Sequence, residues 1–176
     1  MFHPVPWSFW VTWILAFLAF PIGGLAAASI VGPVTDARRG ALAGAVTGTV
    51  LGLIQWLVLK EQRHILVTWI PITALGMAFG LGLSVWWFGN AMDDDFLIWR
   101  AAFTGLCVGV GQWLILRQVL PGAEVWILVV SLAWTLGWYL TRRIGVDLRP
   151  KWSVFGAAGA ITFQVVTGLA LYFLPK

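Results

Sequence analysis

Three carboxamides are the side chains of this chain best suited to recognition chemistry. Gln55 and Gln112 stand 57 residues apart, each followed by a tryptophan and then by a basic residue, as Gln55-Trp56 with Lys60 and Gln112-Trp113 with Arg117. An amide in an apolar helix bonds across to a neighbouring helix for about 1 kcal/mol, while the tryptophan and the cation anchor the helix end at headgroup level. The sharper reading gathers both amides with Gln164 around an axis. Such a polar ring binds the head of a ligand, or lines a pore together with Thr47, Thr104 and Thr162. Gln164 lies five residues out of register, because a 57-residue step from Gln112 lands on Leu169. Trp134 and Trp138 share one face of the fifth apolar run, where they stack on a hydrophobic ligand or pack between helices.

Catalytic and coupling groups are missing from the same runs. No run centre carries Asp, Glu or Lys, whereas ion coupling uses intramembrane carboxylates and hydrolysis needs a nucleophile with a base or a metal. The expectation is a protein that is not an enzyme. His3 and His64 fall at run ends on one side and read as surface histidines, since haem needs an axial ligand and structural zinc about four ligands. Cys107, the single cysteine, forms no intramolecular disulfide and reads as packing. Asp93, Asp94 and Asp95 read as a solvated cap at a helix N-terminus, because three consecutive carboxylates on a helix diverge too far to hold one cation.

The elements that must position the amides are membrane spans. Hydrophobic residues make up 60% of the chain and charged ones 10%, with a mean hydropathy of +0.89, against about 25% charged in soluble domains. Six runs approach the roughly 20 apolar residues that a bilayer core requires. They cover 7 to 31, 38 to 60, 66 to 89, 96 to 118, 123 to 141 and 152 to 174. The fold class is therefore all-α, a polytopic membrane protein with one transmembrane domain over 1–176. A pI near 9.8 reflects Lys and Arg at span ends and excludes a nucleic-acid partner. Ala26-Ala27-Ala28 resembles a signal cleavage site, but no Lys or Arg precedes the first run and its Gly23 belongs to a repeat column, so the run is expected to be retained.

That column is one of several. At an offset of 57, Asp36 matches Asp93, Thr47-Gly48 matches Thr104-Gly105, Gly52 matches Gly109, and Gly23, Gly80 and Gly137 align. The spacing predicts three two-helix repeats, 5–61, 62–118 and 119–175, around a pseudo-threefold axis. Gly40, Gly44, Gly48 and Gly52, then Ala101, Gly105 and Gly109, recur every four residues and predict packing ridges on the even spans. A smooth wall beside a ligand or permeation path is the alternative. The ridged spans are expected to face inward and the Trp-rich odd spans to face lipid or partners, with Trp7, Trp10, Trp56, Trp69, Trp113, Trp126 and Trp152 at headgroup level. Basic residues number seven in the bends after odd spans and four on the other side, which places those bends in the cytoplasm and both termini outside.

The stretches GAVTGTVLGLIQWLVLK, LAWTLGW and WSVFGAAGAITFQVVTGLAL resemble the recurring signatures of a family of small, uncharacterised bacterial membrane proteins with six helices. The resemblance covers most of the chain and implies a bacterial cytoplasmic membrane. It implies no activity, cofactor or site residue. Mitochondrial carriers also use three two-helix repeats, but their charged signature is missing around Pro21 and Pro71. The expected role is non-enzymatic: binding a hydrophobic molecule or lipid, or serving as an accessory subunit of a membrane complex. A passive channel or small-molecule transporter along the axis is the alternative.

Overall fold

The first apolar run forms a rod with a break in it: α1 (Trp7–Leu15), a 3-10 turn (Ala16–Leu18) and α2 (Ala19–Ile30). Pro21 explains the break, since it has no N–H to give to the carbonyl four residues earlier. The other rods are α3 (Ala37–Arg63), α4 (Trp69–Phe88), α5 (Asp94–Leu116), α6 (Val125–Arg143) and α7 (Ala157–Phe173). This computed structural model describes residues 6–89, 94–145 and 154–174. Outside them lie His3, Asp93, Arg149, Lys151, Trp152 and Lys176, together with the side chains of Arg63, Asp94 and Asp95. The described residues are all-helical. Five rods are long and apolar enough to cross a membrane, and the sixth, α7, is a shorter apolar helix of 17 residues.

Local chemistry sets the helix ends. Asp36 caps α3, its Oδ1 accepting the Arg39 backbone N–H at 3.0 Å. α3 runs past Lys60 and stops at His64, which takes the left-handed conformation with φ 53°. Pro71 is tolerated because it lies in the first turn of α4, where its missing N–H has no intrahelical partner to lose. Arg142 and Arg143 close the last turn of α6, where positive charge suits the helix dipole.

The rods form a closed ring. Each packs on the next in chain order, and α7 returns to pack on α1 and the 3-10 turn. Two glycine seams alternate around it. In the first, a Cβ placed on Gly48 would lie 2.8 Å from Ala74 Cα and 2.9 Å from the Thr73 carbonyl oxygen. One placed on Gly105 would lie 2.8 Å from Ser131 Cα and 3.1 Å from the Val130 carbonyl oxygen. Gly52 meets Ile70 and Thr73, as Gly109 meets Ile127 and Val130, so each neighbour recurs 57 residues along the chain. Gly40 and Gly44 continue the α3 seam against Leu81, Met77 and Ala78. In the second seam a Cβ placed on Gly23 would lie 3.2 Å from Thr47 and one on Gly80 2.9–3.1 Å from Thr104, while Gly137 faces Gly159.

Two expectations change. The ridges of α3 and α5 face neither the axis nor the preceding rod; they face the following rods, α4 and α6. The preceding rod supplies glycines of its own, Gly23 and Gly80, so both sides of α3 and of α5 are taken by close backbone approach. The odd rods divide their tryptophans between the interior and the surface. Trp13, Trp69 and Trp126 are fully buried, and Trp134 is 1% exposed. They join one core cluster running from Phe9 to Leu174, while Trp7, Trp86, Trp87 and Trp99 stay outside it and exposed.

Candidate functional site

A buried indole has one donor and no acceptor of its own, so it must find an oxygen inside the bundle. Gln55 and Gln112 supply it. Trp69 Nε1 donates to Gln55 Oε1 at 3.3 Å, and Trp126 Nε1 donates to Gln112 Oε1 at 3.0 Å. These bonds join α4 to α3 and α6 to α5, both across the first glycine seam. Gln112 Nε2 then donates to Gln55 Oε1 at 3.0 Å and to Thr73 Oγ1 at 3.1 Å, tying α5 to α3 and α4. All five side chains are fully buried. The network is uncharged, and amides, hydroxyls and indoles hold their protons across the physiological range. It can fix helix register and recognise a hydrogen-bonding group, but it offers no general base.

The packing of α7 on α1 departs from this pattern. Trp13 Nε1 donates to the backbone carbonyl of Gln164 at 3.0 Å and to Thr167 Oγ1 at 3.3 Å, joining α1 to α7. The Gln164 side chain is fully buried, yet neither its Nε2 nor its Oε1 has a hydrogen-bond partner, and Gln55 Nε2 has none. Gln55 lacks what Gln112 has because Thr73 is replaced at the corresponding position by Ala16, and the position expected for a third amide holds Leu169, which is 46% exposed.

The structure thus brings Gln55 and Gln112 together and shows no bond from either to Gln164. The three threonines stand apart from the network. Thr47 Oγ1 donates to the Gly23 carbonyl at 3.3 Å, Thr104 is buried beneath Gly80, and Thr162 Oγ1 bonds the Ala158 carbonyl of its own helix. Trp134 lies in an aromatic cluster: Phe155 at 5.2 Å and Phe163 at 5.3 Å meet it edge-on, and Phe20 lies at 5.7 Å. Trp138 meets Phe155 edge-on at 5.9 Å. The chain's own rings therefore occupy these faces of the two indoles.

Trp69, Trp126, Thr73 and Trp13 escaped the sequence reading. A signal for two of them was present: a tryptophan follows each of Gln55 and Gln112 by 14 residues. The intervening bend is short enough to return the chain alongside itself. Trp69 and Trp126 were expected at headgroup level, but an indole facing an amide is satisfied inside the bundle. At the ends of the same helices Lys60 Nζ lies 5.1 Å from the Trp56 ring centre and the Arg117 guanidinium 4.9 Å from that of Trp113.

Elsewhere, Arg100 is buried in α5 and Cys107 is half-buried. The Asp36 carboxyl, outside the spans, is held below its ordinary range by the Arg39 backbone N–H first and the Thr35 hydroxyl second. Among the described residues no three His, Cys, Asp or Glu side chains come together. No protein-family model, curated protein or solved structure matches the chain.

Proposed function

We propose that the chain is a multi-pass protein of the bacterial cytoplasmic membrane, built from three 57-residue two-helix units closed into a ring, with its termini outside. It works by binding rather than by catalysis, taking up a hydrophobic molecule or lipid, or seating an accessory contact with a larger membrane protein. One observation carries the reading. Gln55, Gln112, Thr73, Trp69 and Trp126 bond one another inside the bundle, while the outer surface carries large, strongly exposed apolar side chains. Trp86 is 72% exposed, Trp87 71%, Trp99 64% and Phe79 61%. Exposed apolar surface on this scale needs lipid, a hydrophobic ligand or a protein against it.

Family kinship with small six-helix bacterial proteins is part of this proposal, on the Gln-Trp-x3-basic signatures. A passive channel along the axis is the competing reading, favoured by the direct contact between Gln55 and Gln112. The buried indoles and amides that fill that level weigh against it.

The test is an absorption spectrum and native mass spectrometry on protein purified in mild detergent. The expected result is a stoichiometric pigment, lipid or partner chain. A bare chain that carries solute flux in liposomes would overturn the binding reading in favour of the channel.

A further inference from the structure

The unpaired amide atoms lie on the two helices that pack against the broken first rod. Gln164 belongs to α7, which packs on α1 and on the 3-10 turn, and its backbone carbonyl is fixed by Trp13 of α1. Gln55 belongs to α3, which also packs on α1. Its counterpart Gln112 directs Nε2 to Thr73, and a 57-residue step places that acceptor at Ala16, the first residue of the 3-10 turn. Ala16 is 3% exposed and has no side-chain oxygen. The two unpaired amides thus sit on the helices that flank the first rod, and the repeat offset relates Gln55 Nε2 to the position of Ala16.

We propose that this seam binds a hydroxyl group, supplied by water or by the alcohol end of an apolar molecule, between the Gln164 carboxamide and Gln55 Nε2. The three unpaired atoms comprise two donors, Gln55 Nε2 and Gln164 Nε2, and one acceptor, Gln164 Oε1. A hydroxyl accepts two hydrogen bonds and donates one, which fits this set. A buried water typically makes about three. A ketone would satisfy the donors and leave Gln164 Oε1 unpaired. A carboxylate or ammonium would bring a charge beside Trp13, Phe163 and Thr167, none of which can neutralise it.

The experiment uses the full chain in detergent, with three readouts. Millisecond X-ray hydroxyl-radical footprinting in ¹⁸O-water labels side chains next to bound water, and mass spectrometry of an organic extract detects an alcohol. Melting of Gln164→Leu reports whether the amide is paired. Labelling of Trp13 or Phe163 above the equally buried Trp126 assigns the hydroxyl to water. One alcohol per chain, lost in Gln164→Leu, assigns it to a lipid or other apolar molecule. Either result should accompany a fall of about 2–4 °C in the variant's melting temperature. If neither label nor alcohol is found, the proposal is overturned, and a rise in melting temperature would show the amide to be unpaired. Only the alcohol arm rests on the binding function proposed above; labelled Trp13 in an otherwise bare chain would refute that function and leave this site standing.

Discussion

Replacing the two paired amides one at a time and then together measures whether the network acts as a unit. Gln55→Leu breaks two bonds, from Trp69 and from Gln112. Gln112→Leu breaks three, to Gln55, to Thr73 and from Trp126. Interhelical hydrogen bonds in membranes average about 0.6 kcal/mol and reach about 1.7. The single substitutions should therefore cost about 1–3 and about 2–5 kcal/mol. The double variant loses four distinct bonds, because the amide-to-amide bond is shared. It should fall short of additivity by one bond, about 0.6–1.7 kcal/mol. Reversible unfolding in mixed micelles gives the four free energies of the cycle. Additivity within about 0.3 kcal/mol would mean that Gln55 and Gln112 do not bond in the folded protein, and the network reasoning would be wrong. The same double variant tests the channel, which predicts that liposome flux disappears while the fold persists.

Further perturbations follow from the seams and caps. Gly48→Leu and Gly105→Leu should each destabilise the bundle by at least the roughly 1–3 kcal/mol of an overpacked core, because even a Cβ at these sites falls within 2.9 Å of the facing helix. Gly122→Ala, where nothing lies within 4 Å, should cost only the strain of its φ of +71°, and unfolding titrations would compare the three. Asp36 has a lowered folded pKa, so its capping contribution is complete above the ordinary value of 3.8 and fades as pH falls through the folded value. NMR of the Arg39 amide should show the first turn of α3 loosening below about pH 4, and Asp36→Asn should remove that pH dependence. For orientation, Thr35→Cys and Glu61→Cys in a Cys107→Ser background should react oppositely with an impermeant maleimide on intact cells. Glu61→Cys should label at once and Thr35→Cys only after lysis; the reverse would place the termini inside.

Which parts of this arrangement could be read from the residues depends on how local their causes are. Run length and charge placement are local, so the expected 38 to 60 and 96 to 118 fall within a few residues of α3 and α5. The 3-10 turn follows from Pro21 alone and was available in principle. The start of α7 was not. The run was expected from 152, but Phe155 stacks on Phe20 at 4.7 Å and the Gly156 N–H donates to Thr141 Oγ1 at 3.2 Å, so the helix begins at Ala157. Those partners come from the first and fifth rods, and no window of sequence around 155 contains them. The glycine ridges were legible as ridges but not as to which neighbour they met, because four-residue spacing defines a face without saying what covers it.

The closure of α7 onto the first rod is where sequence periodicity and physical necessity part. Two units place Gln and Trp 14 residues apart and bury both; the ring must still close between the last rod and the first. At that closure the Trp is Trp13, one residue off the position that two 57-residue steps back from Trp126 define, and its acceptor is a backbone carbonyl rather than an amide oxygen. Keeping Trp13 satisfied needs no side-chain oxygen at position 164, so a structural role alone does not require glutamine there. A leucine or methionine would fill the space without the desolvation cost of a carboxamide, about 1–3 kcal/mol for each unpaired group. Trp13→Phe separates the two demands. It removes the indole donor and should cost about 1 kcal/mol, while Gln164 keeps whatever its side chain binds. If Trp13→Phe released a ligand that Gln164→Leu left bound, the indole rather than the amide would be the recognition element of the seam.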